Sequence, residues 1–222
     1  MSRTRAVPGG GRAVEVSVGR VAGWFERFGE RHGGVVRTLV GEREVVCTAA
    51  DGATATVGVW VGGLVGVGEW PGLVIGGLVE HLSVPRRVGL VLVRRGGHSL
   101  GVVEPGRVLV SRTDRHLVQG RSAAGGWSQQ RFARRREGQA RQALEAAAKD
   151  VGEVLVPRVG ELAAVVLGGD RQALDVLRGV RALAPVFAIA QDRVLDVAEP
   201  RRSVLEEAAE RVFSVEIVVK DP

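Results

Sequence analysis

Between Gly120 and Gln142 the chain reads GRSAAGGWSQQRFARRREGQARQ: a glycine pair, one tryptophan, two adjacent glutamines and six arginines against the single acid Glu137. Gly125 and Gly126 allow backbone angles closed to other residues, which lets a loop enter a narrow site. Gln129 and Gln130 place two neutral carboxamides, each able to donate and accept hydrogen bonds, directly after the tryptophan and a serine. Trp127 is placed either to stack on an unpaired base or to make a rim contact with its own domain. Arg131, Arg134, Arg135, Arg136 and Arg141 carry guanidinium forks that match phosphate geometry. These residue types together suit docking against a polyanion.

A helix must carry most of them. Ala133, Ala140, Leu144, Ala147, Val151 and Val154 recur at spacings of seven, four, three, four and three, one apolar stripe on a helix from about Ser128 to Val156. Arg131, Arg135, Gln142, Glu145 and Lys149 fall on the opposite side, so part of RFARRR reads as an ordinary solvated face. Three consecutive arginines nevertheless span a wide arc, Arg136 turns towards the apolar side, and positive charge in the first turns opposes the helix dipole. A bound anion would compensate.

No conventional catalytic set accompanies the loop. His32, His81, His98 and His116 are scattered, without metal-ligand spacing to Cys47, and read as structural or surface residues. Ser122 and Ser128 lack a nucleophile-elbow context. Asp114 and His116 read as a polar turn, and Glu137 as a counter-charge to the arginines. The passage VGGLVGVGEWPGLVIGG, rich in glycine, admits neither GxGxxG nor GxxxxGK[ST] and has no nearby lysine, so its glycines belong to loops and strand ends. No cofactor or metal is implied.

The whole chain of 222 residues has a net charge of +6 and a pI near 10.9, which favours a polyanionic partner, nucleic acid or an anionic membrane surface. Lys149 and Lys220 are the only lysines. Such an arginine bias also follows from GC-rich coding, which does not account for the local clustering. Cys47 stands alone, so no disulfide forms within the chain, as suits a reducing cytosol. The N-terminus MSRTRAVPGGGR lacks the apolar stretch of a signal peptide, and no run approaches the roughly 18 apolar residues of a membrane span. The expectation is a soluble cytoplasmic protein.

The pattern predicts a disordered basic tail over 1–12, a small α+β domain over 13–85 and a larger domain over 86–222. In the first domain, AVEVSV gives a strand, and the following helix aligns Val21, Trp24, Phe25 and Phe28 before Gly33 and Gly34 end it. VVRTLV, EVVCTAADG and ATATVGVWV follow as strands, with a hairpin turn at Asp51–Gly52. In the second, VGLVLVRR, SLGVVEP and RVLVSR make an antiparallel meander ahead of the long helix. LAAVVLGG and PVFAIA are read as strands around a helix capped by Asp170. PRRSVLEEAAERV is a last helix and SVEIVV a closing strand, which together imply a mixed α/β (α+β) sheet with packed helices.

The stretch GGWSQQRFARRREGQAR resembles the GGQ loop and following helix in the middle domain of eukaryotic and archaeal class I peptide-chain release factors. Gly125, Gly126, Ser128, Arg131, Phe132, Ala133 and Arg134 match that pattern, and the similarity runs from about Val88 to Val212. In organisation it is nearer to the release-factor-like peptidyl-tRNA hydrolases of ribosome quality control, with their GSQ-type loop, here as a bacterial member. The resemblance implies an RNase H-like sheet, hydrolysis of peptidyl-tRNA on stalled large subunits, and rRNA and peptidyl-tRNA as partners of a protein that is monomeric when free. Gapless alignment sets Trp127 at the glutamine of GGQ; a GGSQ loop with one inserted residue selects Gln129, with Gln130 as the alternative. Stop-codon reading is not implied, since the first domain does not resemble a decoding domain. Two other functions fit the same residues: a non-catalytic ribosome- or tRNA-binding module, and a nuclease at the tRNA 3′ end, for which clustered carboxylates are lacking.

Overall fold

A computed structural model describes residues 4–94, 96–115 and 127–222, with 127–136 described by backbone path alone. They form two compact units, Met1–Pro85 with Arg211–Pro222, and Arg86–Glu210.

In the first unit the chain runs through β1 (Thr4–Ala6), β2 (Arg12–Ser17), α1 (Val21–Arg31), β3 (Val35–Val40), β4 (Glu44–Ala49), β5 (Thr54–Gly58), β6 (Gly68–Pro71) and α2 (Gly76–Ser83). Its antiparallel sheet has the order β1-β2-β12-β5-β4-β3-β6, where β12 is the C-terminal strand Ser214–Lys220. Period-two alternation sends Val215, Ile217 and Val219 of β12 inward, level with Val16 and Val57 on its neighbours. From α1, Val21, Phe25 and Phe28 enter the same core, and Trp24 stacks on Phe28 at 5.8 Å between ring centroids. The expected hairpin turn is present: Gly52 has φ +93°, and the Ala53 amide donates to the Asp51 side chain at 2.9 Å.

Two expectations fail here. The basic tail is not irregular throughout, because Gly9, Gly10 and Gly11 turn at positive φ and bring Thr4–Ala6 back against β2. The closing strand does not join the larger domain: β12 lies between β2 and β5, so the expected domain 86–222 gives its last dozen residues to the other unit. Alternating apolar residues fix which face of a strand is buried but not which sheet it enters.

The second unit contains β7 (Val88–Arg94), β8 (Gly97–Glu104), β9 (Arg107–Arg115), α3 (Trp127–Val154), β10 (Ala164–Gly169), α4 (Arg171–Arg178), α5 (Ala184–Ala188) and β11 (Ala190–Leu195); α6 (Arg202–Val212) follows. Sheet order is β11-β10-β7-β8-β9, with β7, β8 and β9 antiparallel and β10 and β11 parallel to β7. A three-strand meander continued by two parallel strands on the side of its first strand is the RNase H-like arrangement expected. The apolar runs of β7 and β10 are buried almost throughout, as strands covered on both faces require. Gly101 keeps β8 and β9 close, since a methyl group there would collide with the Val110 carbonyl oxygen.

Asp170 caps α4 as expected, accepting from the Gln172 amide at 3.0 Å. PVFAIA is only in part a strand. Its first residues form α5, whose first turn takes Pro185, a position where the missing N–H costs nothing, and β11 starts at Ala190.

Candidate functional site

The helix that carries the candidate residues is fixed by its C-terminal half. Ala143, Ala147, Val151 and Val154 of α3 are buried, the last three joining the core that also holds Leu100, Val102 and Leu155. The stripe therefore follows the expected one from Ala147 onward. One turn earlier Ala143 is the buried residue, with Ala140 and Leu144 partly covered.

Polar contacts fasten the same stretch to the sheet. His98, wholly buried in β8, donates from Nε2 to Asp150 Oδ2 at 2.8 Å; a carboxylate can only accept, so Nε2 carries the proton. Arg112 of β9 reaches Asp150 Oδ1 at 2.7 Å and also bonds Glu153. Burial pushes the Asp150 carboxyl upward, but the hydrogen bonds from Arg112 and His98 outweigh it and hold its pKa below the ordinary carboxylate value. Bonds from Glu153 and Asp150 raise the already high pKa of Arg112. His98 Nδ1 is buried without a hydrogen-bond partner among the described residues. Beside this clamp, the hydroxyls of Ser99 and Thr113 lie 2.6 Å apart across β8 and β9.

From Asp150 back to Gln129 is 21 residues of continuous helix, about 31 Å along the axis at 1.5 Å per residue. Gly125 and Gly126 lie outside the described residues, as do Ser122 and His116. Among the described residues α3 runs from Trp127, and Gln129 and Gln130 lie within its first four residues. First-turn amides have no carbonyl partner within their own helix, and they sit at its positive end. Consecutive helical positions such as 129 and 130 are about 100° apart around the axis. Arg131, Arg134, Arg135 and Arg136 occupy the next two turns. Arg141 is exposed and lies 3.6 Å from Glu145, and Glu137 is exposed.

Charge is divided unevenly. Residues 86–210 hold 21 Lys and Arg against 15 Asp and Glu, which is the whole of the net +6, while the other unit has ten of each. The electrostatic attraction for a polyanion thus belongs to the unit built around α3.

Sequence reasoning missed the clamp. His98 reads correctly as a structural histidine, but it lies 52 residues from its partner Asp150, and Arg112 lies 38 residues from Asp150, separations that no local pattern links. Asp114, expected in a polar turn, lies in β9 and accepts from the Arg115 amide at 2.7 Å. Cys47 and His32 belong to the other unit; Cys47 is buried against Thr38, and His32 pairs with Asp51 at 2.8 Å. Among the described residues, no group of His, Cys, Asp and Glu is placed to hold a metal ion, and no helix is long and apolar enough to cross a membrane.

Sheet, helix and loop sequence together define a release-factor-like protein. The chain belongs to the Actinobacteria/chloroflexi VLRF1 release factor family, whose model matches residues 86–218. Among solved structures it is similar to the archaeal translation termination factor aRF1, at 16% identity over 75% of this chain and 51% of that one, with a TM-score of 0.43. It is also similar to Dom34 of S. cerevisiae, a translation termination-like factor, at 8% identity over 93% and 65% of the two chains, with a TM-score of 0.35. Pelota of Archaeoglobus fulgidus matches at 14% identity over 96% and 66%, with a TM-score of 0.33. The chain spans about half the length of the archaeal termination factor. No curated protein matches it.

Proposed function

We propose that the protein is a peptidyl-tRNA hydrolase that releases nascent chains from tRNA on stalled large ribosomal subunits, working in the cytoplasm as a monomer when free. Membership of a release factor family over 86–218 carries this reading, because that region contains the whole of α3 and the unit that holds all the excess positive charge.

In the reaction, a water oxygen bonds to the ester carbonyl carbon, the bond to the tRNA ribose oxygen breaks, and a proton passes to that leaving oxygen. Gln129 orients the water through its carboxamide, with Gln130 the alternative. A first-turn amide of α3 faces the developing oxyanion, where a preorganised donor acts without reorganisation cost. Gly125 and Gly126 shape the approach. A neutral glutamine is a poor proton acceptor, so the remaining catalytic groups come from RNA. Arg131, Arg134, Arg135, Arg136 and Arg141 hold rRNA or the tRNA acceptor end, and Trp127 stacks on an unpaired base.

The test is a release assay on large subunits loaded with labelled peptidyl-tRNA. Free peptide together with full-length tRNA is the expected outcome. Peptide still attached to a shortened tRNA would replace the reading with a nuclease, and binding without any product would replace it with a docking module.

A further inference from the structure

The first unit has no share in the net charge, and residues 1–85 lie outside the family match. Its surface differs in another way: of eight exposed large apolar side chains among the described residues, seven belong to it. A surface without net charge that exposes more large apolar side chains suits a protein partner better than a nucleic acid.

That surface contains a groove of about 650 Å³ between α1 and α2. Leu73, Val74, Ile75 and Val79 give it an apolar lining, which Glu26 and Glu80 share. Both glutamates are exposed, and neither has an ion-pair partner among the described residues. Val74 is 40% exposed. The lining is held in shape: buried Thr38 donates from Oγ1 to the Gly72 carbonyl at 2.6 Å and accepts from the Val74 amide at 3.1 Å. A site fixed before its ligand arrives avoids much of the ordering cost of binding.

We propose that this groove is a docking site for a short segment of a partner protein that is both apolar and basic, its apolar side chains on Leu73, Val74, Ile75 and Val79 and its cations on Glu26 and Glu80. The volume fits a few side chains and not a whole domain face. Two unpaired carboxylates in an apolar lining select cations and reject acidic segments. The inference stands independently of the release chemistry, since none of these residues belongs to the unit that carries α3.

The probes are fluorescein-labelled synthetic peptides of Leu-Leu-Lys, Leu-Leu-Ser and Leu-Leu-Glu repeats, titrated by anisotropy against the full chain. The lysine peptide is expected to bind about three- to tenfold more tightly than the serine peptide, the scale of two exposed ion pairs, and the glutamate peptide more weakly than either. In the double variant Glu26→Lys, Glu80→Lys the order should invert. Both positions are exposed, so this variant retains its fold even if Val79→Asp, which should remove all peptide binding, does not. Equal affinity of the lysine peptide for wild type and the charge-reversed variant would overturn the proposal. So would a single-stranded RNA that the wild-type chain binds and the uncharged serine peptide displaces, because the groove would then be an RNA site.

Discussion

Removing the Asp150 carboxylate should loosen the base of α3 by an amount that follows from the clamp geometry. In Asp150→Ala the fully buried His98 ring loses its hydrogen bond at Nε2, and Nδ1 already has no partner among the described residues. Arg112 keeps Glu153, so its charge is not stranded. A hydrogen bond to a charged group is worth about 1.5–3 kcal/mol, and leaving its buried partner unsatisfied puts the cost near the upper half, about 2–3 kcal/mol. At about 4 °C per kcal/mol for a unit of this size, the melting midpoint should fall by about 8–12 °C. Thermal unfolding followed by circular dichroism measures it, with Asp150→Asn as control, since an amide oxygen still accepts from Nε2 and should restore roughly half the loss. An Asp150→Ala protein melting within about 2 °C of wild type would refute the clamp as the anchor of the helix.

Other expectations concern pH, the thiol, glycine and the arginines. Asp150 and Asp51 both have carboxyl pKa values lowered in the folded state, so their contribution is present above the unfolded carboxylate pKa of about 4 and is lost as pH falls through the folded values. Urea midpoints should be level from about pH 7 to 5 and drop below about pH 4, less steeply in Asp150→Asn; a level profile to pH 3 would contradict this. Burial pushes the Cys47 thiol up to about 11, against a smaller opposing effect of the Thr38 hydrogen bond, so a thiol reagent at pH 8 should label it only in denaturant. Gly101→Ala should destabilise by about 1–3 kcal/mol through collision with the Val110 carbonyl, whereas Gly138→Ala, in open space on α3, should stabilise by about 0.5–1 kcal/mol; chemical denaturation compares them. Replacing Arg134, Arg135 and Arg136 by Ala should weaken ribosome binding and reduce the salt slope by roughly one per lost phosphate contact, and an unchanged slope would remove them from the interface.

Local patterns made much of this molecule legible. The meander, the long helix, the Asp170 cap and the Asp51–Gly52 turn each depend on residues close in sequence, and all were read correctly. Long-range pairing was not legible. Nothing within SVEIVV distinguishes the two sheets, since either core would accept Val215, Ile217 and Val219. For the same reason the clamp was hidden: His98, Arg112 and Asp150 are ordinary residues until β8, β9 and α3 are packed together. The candidate residues are the reverse case, because Gly125 to Arg136 are neighbours in sequence and the pattern that singles them out needs no long-range pairing.

The most direct test of the release reading is the single-turnover rate of peptide release from large-subunit-bound peptidyl-tRNA, compared among wild type, Gln129→Ala and Gln130→Ala. Loss of water positioning should slow Gln129→Ala by about a hundredfold or more, the scale of removing one positioning or oxyanion group, with ribosome binding unchanged. The neighbouring variant, about 100° round the helix, should fall far less. Release at the wild-type rate in both variants, and in the double variant, would contradict the account.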